Sequence, residues 1–378
     1  MGHYLNPGTK KFQKSLNSKF YVDKSELIRE TNDLLDTEHR FICISRPRRF
    51  GKTMAANMLA AYYGMDEDAN PLFENLKIAK EPSYHKHLNQ YHVLVINMQT
   101  FLSRTNTVFE FLALLKNKIE TDLRKMYSEL DYENNDFIEI MKEIYQVTDR
   151  PFVILIDEWD CLFREYKDDS EAQKEYLDFL RLWLKDQAYV GLAYMTGILP
   201  IKKYGSHSAL NMFEEYSMIE PSQFLKFFGF TTAETRKLCE KHDIDFEEMK
   251  NWYNGYFVEQ GTPIYNPKSV TSSLLRKKFS SYWNKTETYE ALKDYIMLDF
   301  DGLKEKVTRM IAGEKIKILT RSFTNDMTNF NSADDVLTLL IHLGYLSYNQ
   351  DNETVEIPNA EVRLEFVASI QSLKWALR

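Results

Sequence analysis

Four runs of consecutive apolar residues punctuate the N-terminal part of the chain: RFICIS (40–45), HVLVINM (92–98), PFVILI (151–156) and YVGLAYM (189–195). None alternates apolar with polar positions. Each therefore predicts a strand buried on both faces, as in a parallel sheet covered by helices. The stretches before and between them read as helices: 24–36, with Asp23 placed to cap it, then 54–63, 108–130, 135–146 and 170–186. Strand–helix–strand alternation of this kind predicts a doubly wound α/β domain.

From about Phe224 the pattern changes. Positions 224–230 are rich in aromatics, 233–242 and 246–253 look helical, and strand-like runs vanish. A boundary is expected near Glu220-Pro221-Ser222. A last strong helix is expected over 331–343. After it come Gly344-Tyr345-Leu346-Ser347-Tyr348, a turn-like Asn349-Gln350-Asp351-Asn352 and a final extended run over 354–357. A helix followed by a hairpin is the pattern of a winged helix. The expected organisation is an α/β domain over residues 1–222, a helical domain over 223–320 and a winged-helix-like domain over 321–378.

Composition narrows the class. Glycine (13) and proline (10) are about half as frequent in these 378 residues as in an average protein, which argues against a turn-rich β-sandwich or barrel. The formal net charge of −8 gives no global steering toward nucleic acid or anionic membrane, although a local basic patch stays open. Cys43, Cys161 and Cys239 are odd in number, far apart and without metal-ligand spacing, which fits a reducing compartment. No run has the length of a membrane span and the first residues lack the apolar core of a signal peptide, so a soluble cytoplasmic protein is expected.

The chemistry gathers at two places. Gly51-Lys52-Thr53 lies between a predicted strand and a predicted helix, the context of the phosphate-binding loop G-x-x-x-x-G-K-[ST]. Backbone amides of the loop and the helix N-terminus would face phosphates. Lys52 would bridge the outer phosphates, and the Thr53 hydroxyl would ligate Mg²⁺. Arg46 stands where the first glycine should be, a departure from the bare pattern. The second place is Val153-Ile154-Leu155-Ile156-Asp157-Glu158, an apolar strand ending in two carboxylates. Asp157 would hold the Mg²⁺ hydration shell, and Glu158 would polarise the attacking water. Alone, that pair is a surface acidic pair; with the upstream Gly51-Lys52-Thr53 it predicts a nucleoside triphosphate site.

Three further signals are two-sided. Arg46, Arg48 and Arg49 would either contact triphosphate oxygens or pair with acids such as Asp23 or Asp160 and orient the loop. Thr196 would read the γ-phosphate or position water, or else cap a helix. Trp252-Tyr253-Asn254-Gly255-Tyr256-Phe257 would stack on bases or, more in keeping with a helix-rich domain, fill a core. His85, His87 and His92 lack helical or cysteine-partnered metal spacing and read as a solvated loop. Glu248-Met249-Lys250 matches the E-x-K piece of a metal-dependent nuclease, but on a helical pattern and without the preceding strand aspartate.

The chain resembles the bacterial AAA-ATPase-like family. The resemblance rests on Tyr21-Val22-Asp23-Lys24, Arg46-Pro47-Arg48-Arg49-Phe50-Gly51-Lys52-Thr53, Leu155-Ile156-Asp157-Glu158-Trp159-Asp160 and Thr196-Gly197-Ile198. It continues through Trp252-Tyr253-Asn254-Gly255-Tyr256, Tyr265-Asn266-Pro267-Lys268-Ser269, Tyr282-Trp283, Leu343-Gly344-Tyr345-Leu346 and Ile357-Pro358-Asn359-Ala360-Glu361-Val362-Arg363. Within that resemblance the missing first glycine is a family trait, and Trp159 stands where tyrosine is usual. The resemblance implies a P-loop ATPase module in a STAND-like order, with ATP and Mg²⁺ as cofactors and with nucleotide state governing domain arrangement. It also implies loop residues Arg46 to Thr53 at the nucleotide, Thr53 and Asp157 at the metal, and Lys52, Glu158 and Thr196 in catalysis. The family usually continues into a PD-(D/E)XK nuclease-type domain. The chain stops soon after Arg363, about where that domain would begin, so it reads as a natural short form or a truncated piece, and no nuclease activity is assigned to it.

Three functions compete at this level. The first is an ATP-hydrolysing switch controlling an attached or partner effector, or acting through self-association. The second is a non-hydrolysing nucleotide-binding scaffold. The third is a DNA-binding regulator acting through the winged helix, with Arg276-Lys277-Lys278 as its slender support. Intact Lys52, Thr53, Asp157 and Glu158 favour the first.

Overall fold

The computed structural model describes residues 2–132, 136–201, 210–256, 263–283, 295, 301–324 and 330–372. Asn135 and Phe257, which belong to two of the expected segments, lie outside them. The chain divides into two compact units. One comprises Met1–Ile44, Lys52–Gly197 and Lys203–Glu215, the other Ser45–Gly51, Ile198–Lys202 and Tyr216–Arg378.

The four apolar runs form the strands β1 (Phe41–Ser45), β2 (His92–Asn97), β3 (Phe152–Asp157) and β4 (Val190–Gly197). A short β5 (Glu214–Tyr216) completes a five-stranded sheet in the order β2-β3-β4-β1-β5. Strands β2, β3 and β4 are parallel neighbours. Every residue of β1, β3 and β4 is buried, as continuous apolar strands covered on both faces require. The helix Lys52–Tyr63 packs on β2, β3 and β4 with Ala55, Ala56, Met58, Leu59 and Ala60 buried. Its small residues let it lie close to the sheet. Helices Val108–Met126, Phe137–Thr148 and Ser170–Leu184 follow the expected positions. They are capped by the side chains of Thr107, Asp136 and Asp169.

Two expectations in this unit are corrected. Asp23 does not cap the helix that follows it: that helix spans Leu27–Leu34, and the Asp23 carboxylate accepts from the Ser25 amide and from the amide of Lys77, which opens a separate 3₁₀ turn over Lys77–Lys80. The three histidines are not a solvated loop either. His85 is exposed, but His87 and His92 are buried, His87 against the Tyr91 hydroxyl at 2.6 Å and His92 against the Tyr127 hydroxyl at 3.1 Å. Burial pushes the His92 imidazole down to about 4, with Arg150 adding to the effect. No group of acidic, histidine or cysteine side chains among the described residues is arranged to hold a metal ion by itself.

The second unit is mainly helical. It holds Thr232–His242 with a Thr231/Glu234 capping box, Phe246–Tyr253 and Pro267–Arg276. These are followed by Leu303–Ile311, Ala333–Leu343 and Ala360–Ser372. Strand content persists past Phe224, against expectation, as two-residue pieces too short to leave a periodic signal: β6 (Phe230–Thr231), β7 (Ile264–Tyr265) and β8 (Ile316–Lys317). The predicted hairpin forms as β9 (Ser347–Asn349) and β10 (Thr354–Glu356), and β8 joins it in a three-stranded antiparallel sheet. Glu248 and Lys250 lie on the helix Phe246–Tyr253, without the strand setting of a nuclease motif. Of the aromatic stretch, Tyr253 and Tyr256 are buried and Trp252 is half-buried. No helix among the described residues is long and apolar enough to cross a membrane.

Candidate functional site

Each of β2, β3 and β4 carries a polar residue at its C-terminal end, and the parallel register brings the three into one row. Asn97 pairs with Asp157, and Asp157 with Thr196. Asp157 is the hub. Its Oδ1 accepts from Thr196 Oγ1 at 2.6 Å and from the Glu158 amide at 3.1 Å. Its Oδ2 accepts from Thr53 Oγ1 at 2.7 Å and from Asn97 Nδ2 at 3.3 Å. With Asp157 only 4% exposed, these four donors replace the water that a buried carboxylate would otherwise lose. Thr196 lies inside β4, not at a helix start, so the helix-cap reading of it is overturned.

Thr53 reaches the hub because the helix begins at Lys52, directly after Gly51, whose φ of +95° suits glycine. Thr53 itself is exposed, so its hydroxyl joins the buried carboxylate to open space. Lys52 is 5% exposed. Burial pushes its ammonium below the ordinary value, while Glu158, Asp157 and Asp160 oppose the shift. Lys52 thus lies in the field of three carboxylates, with the exposed Thr53 hydroxyl next to it in the chain. The oxygen donors Thr53 and Asp157 suit Mg²⁺, which takes one or two protein ligands and completes its shell with water and phosphate oxygens.

Glu158 turns the chain out of β3 in the left-handed region, at φ +56°. Its carboxylate accepts from Arg164 Nη2. The following residues are pinned: the Trp159 amide donates to the Thr196 carbonyl at 3.1 Å, and Tyr176 donates its hydroxyl to the Trp159 carbonyl at 2.8 Å. Gly197 is required by this arrangement. A Cβ there would lie 2.6 Å from Trp159 Nε1 and 2.8 Å from Asp160 Oδ1.

The structure thus joins Lys52, Thr53, Asp157, Glu158 and Thr196. The loop arginines behave otherwise. Arg46 is 1% exposed, and its Nη1 donates to the carbonyls of Ser45 and Tyr216 at 2.8 and 2.7 Å. Its guanidinium lies 5.5 Å from the Phe228 ring. These bonds tie the loop to its own unit. Asp160 faces Arg164. Arg49 is exposed at φ +72°, and Arg48 is partly buried. Pro47 and Phe50 are buried within the second unit, Phe50 edge-on to Tyr256 with centroids 5.2 Å apart. Two participants went unread in the sequence, Asn97 and Arg164. Asn97 had a signal, since it is the polar terminus of an apolar run, as Asp157 is.

A family model described as "Predicted AAA-ATPase" matches residues 7–206. A curated relative, the uncharacterized protein in the vnfD 5′ region of Azotobacter chroococcum mcd 1, is 27% identical over 284 residues. That alignment takes in 73% of this chain and 52% of the relative, so the chain spans about half the length of the curated relative it matches. Among solved structures, the ADPNP–ADP complexes of the Aeropyrum pernix ORC2 protein align over 95% of this chain and 98% of that one. The identity is 12% and the TM-score 0.38. AMPPCP-bound DnaA from Aquifex aeolicus aligns over 93% and 86%, at 10% identity and a TM-score of 0.32. Both structural likenesses are slight. The family match covers more than half of the chain and contains every residue of the row and the loop. This chain belongs to the AAA-ATPase-like family.

Proposed function

We propose that this chain is a nucleotide switch that binds MgATP at the Lys52–Asp157 site and hydrolyses it to ADP and phosphate. The observation that carries the reading is the double engagement of Asp157, by Thr53 from the helix start and by Thr196 from β4. It holds a carboxylate and an exposed hydroxyl side by side where two oxygen ligands of Mg²⁺ are needed. Bound Mg²⁺ would supply charge neutralisation at the outer phosphates. In this chain Lys52 holds those phosphates electrostatically, Thr53 and Asp157 hold the metal, and the backbone of 46–51 lines the loop. Glu158 takes the proton of the attacking water.

The switch part rests on the loop. Residues Ser45–Gly51 belong to the second unit by packing. There the Phe50 carbonyl accepts from the Gly229 amide at 3.1 Å, and the Tyr256 hydroxyl donates to the Gly344 carbonyl at 2.9 Å. We divide the helical region into a helical domain over 223–320 and a winged-helix-like domain over 321–378, whose arrangement nucleotide state would govern. An effector, or a second copy of the chain, would read that region. The test is the nucleotide content of freshly purified protein by chromatography, followed by phosphate release with MgATP. Bound adenine nucleotide and slow turnover that disappears in Glu158→Gln support the reading. Protein that neither retains nor binds adenine nucleotide sinks it.

A further inference from the structure

Arg164 lies outside every motif considered above, yet it is the hydrogen-bond partner of Glu158. Its guanidinium sits between two carboxylates. Nη2 donates to Glu158 Oε2, and Nε faces Asp160 Oδ2 at 3.4 Å. Arg164 is 14% exposed and Glu158 25%, whereas Asp160 is fully buried. The buried end fixes the guanidinium and the fixed guanidinium holds the more exposed carboxylate. Arg164 comes from the short helix Cys161–Glu165, and the turn leading into it is pinned to β4 through the Trp159 amide. The links from β4 to the Glu158 carboxylate are thus one backbone hydrogen bond, one buried ion pair and one charge-assisted hydrogen bond.

We propose that Arg164 is the positioning residue of the hydrolytic site, anchored by Asp160 and orienting Glu158 toward the attacking water. The assignment rests on Glu158 being the base. An activating carboxylate is effective when a third group fixes its direction. With Oε2 held by Arg164, Oε1 is left to accept the proton of water, and the left-handed backbone at Glu158 is stabilised by the same contact. No proton passes to Arg164, which stays charged throughout.

The test compares wild type, Glu158→Gln, Arg164→Lys, the double variant Arg164→Gln/Asp160→Asn and the triple variant that combines it with Glu158→Gln. Removing Arg164 together with the Asp160 charge avoids stranding a buried carboxylate. With MgATP, the double variant should lower kcat roughly 10- to 100-fold, the scale of a misplaced reacting group, and leave KM nearly unchanged. Arg164→Lys should recover part of the loss, and the triple variant should be no slower than Glu158→Gln alone. A second reading needs no turnover. Urea midpoints of the nucleotide-free proteins should show that the effects of Glu158→Gln and of the double variant are not additive. Additive midpoints, a double variant as fast as wild type or faster, or an equal further loss in the Glu158→Gln background would each overturn the assignment. Glu158→Gln turning over like wild type would overturn the base reading itself, and the positioning role with it.

Discussion

Thr196→Val is the sharpest probe of the polar row. Valine keeps the shape of threonine, so the substitution removes the hydroxyl and little else. Thr196 is fully buried, and its hydroxyl donates to Asp157 Oδ1 at 2.6 Å, so no water can take its place. A hydrogen bond to a charged group contributes about 1.5–3 kcal/mol, and Oδ1 would keep only the Glu158 amide as a partner. The expected loss of stability is therefore about 1.5–3 kcal/mol, and Thr196→Ser, which retains the hydroxyl, should lose less. Urea unfolding followed by far-ultraviolet circular dichroism measures both. Binding supplies a second reading. Because the lost bond orients Asp157 rather than Lys52, the affinity for ATP should fall in the presence of Mg²⁺ and stay near wild type without it. A valine variant within about 0.5 kcal/mol of wild type, the ordinary scatter of inconsequential substitutions, would refute the row as a set of buried, charge-assisted bonds.

Three further outcomes are expected. Lys52→Ala should weaken triphosphate binding by roughly 10- to 100-fold, the equivalent of one charge-assisted contact, at unchanged circular dichroism; titration calorimetry giving wild-type affinity would remove Lys52 from the site. ATP and ADP should protect residues 252–256 and 341–348 differently in hydrogen exchange. Equal protection with ATP, with ADP and without nucleotide would end the switch reading and leave binding untouched. The third outcome concerns pH. Glu361 is buried and accepts from Ser269 Oγ, the Tyr282 amide and the Trp283 amide at 2.7, 2.6 and 3.0 Å. Burial pushes its carboxyl up to about 7 from an ordinary 4.5, against the pull of these donors. Its raised folded value means that the stability it contributes is complete below about pH 4.5 and lost as pH rises through about 7. The loss is roughly 3 kcal/mol. Glu361→Gln should flatten that fall and be the more stable protein at pH 8; parallel stability profiles between pH 4.5 and 8 would disprove the assignment.

The sequence by itself determined what local chemistry and periodicity can determine. Short apolar runs such as FICI and FVILI, without alternation, favour strands covered on both faces, and a strand–loop–helix around Gly51-Lys52-Thr53 allows few ligands. Two-residue strands left no trace because a period needs several residues to show itself, and Asp23 read as a helix cap because capping residues also make turns. Pairing was decided by tertiary structure alone. Asn97, Asp157 and Thr196 lie far apart in the chain, and only strand order and parallel register place them side by side. Arg46 reads in the sequence as either a phosphate ligand or an acid partner, and only the fold brings the Tyr216 carbonyl to its guanidinium. Arg164 carried no signal in the sequence, and only the turn at Glu158 brings it between two carboxylates. A residue's type and spacing fix what it is able to bond, whereas the partner it finds depends on which distant backbone the fold lays beside it.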